Sequence, residues 1–220
     1  MSNDAINYVQ VGDPMVTIMG LTPNAEQHME HCARFCYNSL DKAKEGSHVG
    51  FLRGALKNGH FSILSHAHCT FIIEGISRAC SHQLVRHAHL RYLQRSQRYC
   101  AEGRPDYIIP DSVVQATVFD LMEGVVYDNF EAYKELVEKG VKKEDARFVL
   151  PNACKTQIAV SGSLQAWWDF LRLRLDTHAQ WEIRRIAKMV YHLLNIHVPN
   201  VFNSQLLTVQ PKMNLEFPKG

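Results

Sequence analysis

A chain of 220 residues with 46% hydrophobic and 10% aromatic content has enough apolar mass for a sizeable core, and residues 1–220 read as a single domain. Its 24 lysines and arginines nearly balance 22 aspartates and glutamates, leaving a formal charge of +2, which excludes the general basic excess of a nucleic-acid coat or a polybasic membrane binder. No stretch approaches the roughly 20 apolar residues that span a bilayer. No apolar run follows a basic start, so the six cysteines are expected to be reduced thiols of a cytoplasmic protein.

In chain order, residues 1–20 alternate weakly around Gly12-Asp13-Pro14 and predict a strand or two. Thr22-Pro23 followed by Glu26 predicts a helix start, with Thr22 as cap and the helix reaching about Tyr37. His28, His31 and Cys32 on that helix have no further ligand placed to complete a metal set, and no metal is expected. Residues 49–58 predict a helix closed by Gly59. Cys69 to Ile73 then reads as a buried strand closed by Gly75, and Ile76 to His87 as a helix whose last turn carries Arg86 and His87.

Beyond a loop at 103–106, Tyr107 to Pro110 predicts a short edge strand and Asp111 or Ser112 the cap of a long helix. Phe119, Met122, Val126, Phe130, Tyr133 and Val137 fall on one face of that helix, which Gly140 ends. Residues 142–150 predict a short helix presenting Arg147, and 155–161 a half-buried strand with Gly162 and Ser163 as turn and cap. Leu164, Trp168, Leu171 and Leu175 line one face of the next helix. In the last, from His178 to His197, the stripe is Ile183, Ile186, Val190, Leu193 and His197. Helices and strands mix without regular alternation, so the fold class is α+β: long helices on a mixed or antiparallel sheet.

Gln83 to Tyr99 stands apart. It holds Arg86, Arg91, Arg95 and Arg98 with no carboxylate among its seventeen residues, while Leu84, Val85, Leu90, Tyr92, Leu93 and Tyr99 interleave with the bases and tie it at least half to a core. Negative charge must come from elsewhere: a phosphate-bearing small molecule, a nucleic acid or an internal acidic partner. Neither phosphate-cradling glycine motif, GxGxxG or P-loop, is present.

Four patches together resemble the flavin-dependent thymidylate synthases. Arg86-His87-Ala88, seven residues, then Ser96-Gln97-Arg98-Tyr99 is similar to the family's Arg-His-Arg, seven residues, Ser signature. Residues 60–66 (HFSILSH) are similar to its upstream histidine block, 147–151 (RFVLP) to its Arg-x-x-Leu-Pro, and 173–184 (LRLDTHAQWEIR) to its most recognisable stretch. The resemblance covers roughly residues 15–205.

It implies a homotetramer with active sites at subunit interfaces, several chains contributing to each. The implied reaction is reductive methylation of dUMP to dTMP, with methylenetetrahydrofolate as carbon donor and FAD, reduced by NADPH, as hydride carrier. By resemblance, Gln83, Arg86, Ser96, Gln97, Arg98, Arg147 and Arg174 hold dUMP. Arg174 is the catalytic residue, stabilising charge that develops on the uracil N3/O4 edge. Ser62, Arg86, His87, Ala88, Gln94, Ser163, Leu164, Gln165 and Asp169 hold FAD, and His60 belongs to the folate or nicotinamide region.

Ala88, Ser65, Ser163 and Asp169 depart from the family pattern, which predicts weaker or repositioned flavin binding with Arg91 or Arg95 as substitute cation. Two alternatives stay open: another C5 modification of a pyrimidine nucleotide, and a catalytically impaired nucleotide or nucleic-acid binder. No cysteine falls in a matched motif, and Cys100 is not expected to be catalytic.

Overall fold

The computed structural model describes residues 14–102, 106–207 and 217. In order the elements are β1 Met15–Leu21, α1 Ala25–Cys36, α2 Ser47–Lys57, β2 His68–Ser77, α3 Arg78–Leu84, β3 Arg91–Gln94, α4 Asp111–Gln115 and α5 Phe119–Glu138. Then follow α6 Lys143–Ala146, β4 Lys155–Ser163, α7 Leu164–Arg174, α8 Trp181–His197 and α9 Ser204–Leu207. Four strands form one sheet in the order β1-β2-β4-β3, and the fold is α+β as expected. The chain divides into two compact units, one of residues 1–15, 74–82 and 94–158, the other of 16–73, 83–93 and 159–220.

The second unit has a large aromatic core. Trp167 and Phe170 of α7 are fully buried, Trp167 meets Phe71 of β2 edge-on at 4.8 Å, and its indole N–H donates to the Cys69 carbonyl at 3.0 Å. That bond satisfies the one polar atom the ring brings inside. A buried carboxylate ties α1 to the chain beyond α8: Glu26 accepts from the Asn200 backbone N–H at 2.8 Å and from its side-chain amide at 2.7 Å. The first unit packs Val126 and Phe130 of α5 against Cys154, with Tyr107, Met122 and Leu150 around them.

Several boundaries differ from the sequence reading. Thr22 does not cap α1; its hydroxyl accepts from the His68 backbone N–H at 2.9 Å, and Asn24, with φ of 48°, precedes the helix instead. β2 does not stop at Gly75 but runs through it, the glycine taking φ of 70°, a conformation open to it for want of a Cβ. Ile76 and Ser77 are therefore strand residues, and α3 is only seven residues long. Arg86 and His87 lie past its end, so the macrodipole does not explain them.

The edge strand expected at 107–110 reduces to one antiparallel bridge, Tyr107 to Cys154. The long helix begun at Asp111 breaks at Thr117, whose φ of 55° no helix tolerates, giving α4 and α5. Gly162 stays within β4, while Ser163 does cap α7, its hydroxyl accepting from the Ala166 N–H at 3.2 Å. α8 starts at Trp181 and not at His178, because the Gln180 side chain accepts from the Glu182 and Ile183 N–H groups. Its buried stripe includes Ala187, Tyr191 and Leu194, with Leu193 only partly covered and His197 exposed. Strands expected within residues 1–13 and the loop at 103–105 lie outside the described residues.

Candidate functional site

Arg174 is the last residue of α7, a helix held by its buried aromatic face, and a cation there is favoured by the helix C-terminus. Its Nε donates to His87 Nε2 at 2.9 Å and its Nη2 to the Gln83 carbonyl at 3.2 Å. The His87 ring stands edge-on to Phe170 with centroids 5.1 Å apart. Burial, and then the Arg174 charge, push the His87 pKa from 6.5 down to about 4. At neutral pH the imidazole is thus uncharged, with its proton on Nδ1 and Nε2 free to accept. A guanidinium held by a neutral acceptor and a carbonyl keeps its charge while its orientation is fixed.

The segment that delivers His87 is pinned by Tyr92, whose hydroxyl donates to the Leu84 and His87 carbonyls, each at 2.8 Å. Burial raises that phenol to about 12, so it remains a donor throughout the useful pH range. Arg91 Nη1 donates to the Ala88 carbonyl at 2.9 Å and to the Leu90 carbonyl at 3.1 Å. The arginine named as a substitute for the missing third guanidinium of the triplet therefore lies against Ala88 itself. Arg86 is exposed. The sequence marked Tyr92 only as one of the apolar residues tying the segment to a core; of those, Leu84 and Leu90 are buried, whereas Val85, Leu93 and Tyr99 are exposed.

Ser62, assigned to flavin, and His60, assigned to the folate or nicotinamide region, line one cleft of about 500 Å³ with Cys36, Phe51 and His66. At the start of α7, Ser163 is the cap, and the Gln165 amide donates to both oxygens of Asp169 at 3.4 Å. That contact offsets part of the negative charge Asp169 brings. Leu164 is fully buried and its N–H donates to the Ala67 carbonyl at 2.8 Å, so its side chain belongs to the core. Gln94 falls in the other unit, where its amide donates to Ser81 Oγ at 2.8 Å and Thr156 Oγ1 at 3.2 Å.

In the first unit Arg98 and Arg147 both contact one acidic residue, Glu144. Arg98 pairs with its carboxylate, and Arg147 Nε donates to its backbone carbonyl at 3.0 Å. Ser96 Oγ accepts from the Arg98 N–H at 3.2 Å, fixing a tight turn, and Gln97 is buried. Glu102, also buried, lies 3.8 Å from Arg95. Burial raises the Glu102 pKa more than Arg95 and Arg78 lower it. Internal acids thus answer part of the unpaired charge in 83–99. Glu144 and Glu102 were missed because the one lies 46 residues beyond Arg98 and the other follows the segment without periodic signal.

The donor set fits a flavin dinucleotide: a cleft with aromatic walls, a capped helix start with an amide and hydroxyls, and exposed cations for a diphosphate. Among the described residues no group of three or more histidine, cysteine or acidic side chains is placed to hold a metal ion, and no helix is long and apolar enough to cross a membrane. All six cysteines are free.

Residues 17–200 match the family model described as thymidylate synthase complementing protein. A flavin-dependent thymidylate synthase of Geobacter sulfurreducens is 39% identical over 197 residues, covering 85% of this chain and 84% of that protein. One from Mycobacterium marinum is 35% identical over 195 residues, 80% of this chain and 78% of the relative. The Mycobacterium tuberculosis enzyme is 34% identical over 192 residues, 79% and 77% respectively. With most of its length matched and its signature arginines set in the geometry above, the chain belongs to the thymidylate synthase complementing protein family.

Proposed function

We propose that this protein is a flavin-dependent thymidylate synthase, converting dUMP to dTMP with methylenetetrahydrofolate as carbon donor and NADPH as reductant. FAD, when bound, supplies the hydride carrier. The observation that carries the reading is Arg174, whose guanidinium is fixed on neutral His87 and the Gln83 carbonyl within a chain of this family.

In this reading Arg174 stabilises charge on the uracil N3/O4 edge. It cannot release a proton at ordinary pH, so its contribution is electrostatic, and preorganised by His87. Ser96, Gln97, Arg98 and Arg147 hold the phosphate, with Glu144 setting the two guanidinium groups in place. Gln83 and Arg86 complete the nucleotide set. Ser62, Arg86, His87, Ala88, Gln94, Ser163, Leu164, Gln165 and Asp169 hold FAD, Leu164 through its backbone alone, with Arg91 beside Ala88 as the added cation. His60 faces the folate or nicotinamide.

The chain acts as one functional domain in a cytoplasmic homotetramer, and each active site draws on more than one chain. Its ligands are small molecules and not nucleic acid. Incubation with FAD, NADPH, dUMP and methylenetetrahydrofolate at low oxygen, with product analysed by mass, tests the reading. Wild type forms dTMP, and Arg174→Ala forms it roughly 100- to 1,000-fold more slowly. Flavin reduction without dTMP, or a hydroxymethyl product, overturns the reading.

A further inference from the structure

We propose that Cys36, which no matched motif assigns, is a thiol-modification site: it takes a low-molecular-weight disulfide, and the adduct excludes flavin from the cleft that Cys36 shares with Ser62 and His60. The exclusion rests on the flavin reading given above. Cys32 and Cys36 stand one helical turn apart on α1, and both line that cleft of about 500 Å³. The two thiols are not equivalent. Cys32 is half-buried, with Sγ 3.7 Å from His28 Nε2, whereas Cys36 is exposed, its thiol donating weakly to the Cys32 carbonyl at 3.8 Å.

The remaining cysteines narrow the choice. Cys69, Cys80 and Cys154 are buried, and burial pushes the Cys69 and Cys154 thiols up to about 12, which keeps them protonated and unreactive. Cys100 is exposed as well, but it belongs to the first unit and does not line this cleft. In the exchange the Cys36 thiolate attacks one sulfur of the disulfide and the S–S bond breaks. The departing half leaves as a thiolate and takes up the proton Cys36 lost, so one disulfide becomes one mixed disulfide and one thiol. Cys32 does not resolve the adduct. Side chains one turn apart on a helix keep their Cβ atoms about 5 to 6 Å apart, and a disulfide needs about 3.5 to 4.5 Å. The adduct therefore stays on the wall, beside Ser62 and His60, until an outside thiol removes it.

Glutathione disulfide is the probe, applied to wild type, Cys36→Ser and Cys100→Ser with and without FAD, and adducts are located by intact mass and peptide mapping. Wild type takes adducts at Cys36 and Cys100 and forms no internal disulfide. FAD at about ten times its dissociation constant leaves roughly one site in eleven open, so modification of Cys36 slows about tenfold while that of Cys100 keeps its rate. Treated Cys100→Ser loses flavin binding and regains it with dithiothreitol; Cys36→Ser binds flavin equally before and after treatment. Modification of Cys100 without Cys36, or an internal Cys32–Cys36 disulfide, overturns the site. A Cys36 adduct that leaves flavin binding whole, or that forms as fast with FAD present, overturns the exclusion while the synthase reading stands. Wild type that binds no flavin overturns the synthase reading and the exclusion together, and the adduct mass still decides the thiol site.

Discussion

His87 decides how Arg174 can act. An imidazolium in its place would set two cations face to face, so the pairing depends on the histidine staying neutral, which burial and the arginine together ensure. Replacing it with alanine removes the acceptor at 2.9 Å and frees the guanidinium, predicting about a tenfold loss in turnover with dUMP binding less affected. His87→Gln, which restores an acceptor, recovers part of that loss.

The same shift sets a pH dependence. The folded value of about 4 lies below 6.5, so the unfolded chain binds the proton first. The contribution of His87 to stability is whole above pH 6.5 and is lost as pH falls toward 4. With partial exposure discounted, the change is about 2 kcal/mol, and urea unfolding at pH 4.5 and 7 shows it in wild type but not in His87→Gln. A wild-type pH response equal to that of His87→Gln would remove histidine titration as the cause. At this scale the sequence marked Arg174 and His87 by motif alone. Their mutual bond spans 87 positions and carries no local signal.

At the scale of elements, β4 and the turn that presents His87 and Ala88 approach so closely that Gly162 is required. A Cβ there would stand 2.4 Å from Leu90 Cδ2, and Leu90 is itself buried with little room to turn aside. Gly162→Ala therefore predicts a loss of about 1 to 3 kcal/mol, read from denaturant midpoints. The displaced turn also carries the Tyr92 hydrogen bonds that hold the His87 carbonyl, so activity falls more than stability alone explains. Leu90→Ala in the same chain relieves the clash; failure to regain turnover would detach the turn from function.

Helix faces were legible because burial follows a 3.6-residue period: Leu164, Trp168, Leu171 and Leu175 are all buried as predicted. β3 was not, since four residues flanked by arginines show no alternation to read. Residues 76 and 77 went to the wrong element for a related reason. Gly75 looks like a stop, but here it lets a strand continue.

At the scale of the whole molecule, the candidate nucleotide residues divide between the two compact units. Ser96, Gln97, Arg98 and Arg147 fall in one, and Gln83, Arg86 and Arg174 in the other. Sequence order hides this division, because the segment 83–99 is continuous and reads as one basic patch. An oligomer whose sites draw on several chains can take each group from a different subunit, and a mixing experiment measures whether it does. The proposed roles predict that Arg147→Ala and Arg174→Ala each lose most activity alone.

If the protein is the proposed tetramer, the two variants unfolded together in equal amounts and refolded give mixed oligomers. If one chain supplies Arg147 and its neighbour Arg174, random assortment leaves about a quarter of the sites with both arginines, and activity returns in that proportion. If a single chain supplies both, every site lacks one of them and the mixture stays as inactive as its parts. A recovery that follows the product of the two variants' fractions, greatest at equal amounts and vanishing at either pure variant, identifies the shared site and fixes the oligomer as the catalytic unit.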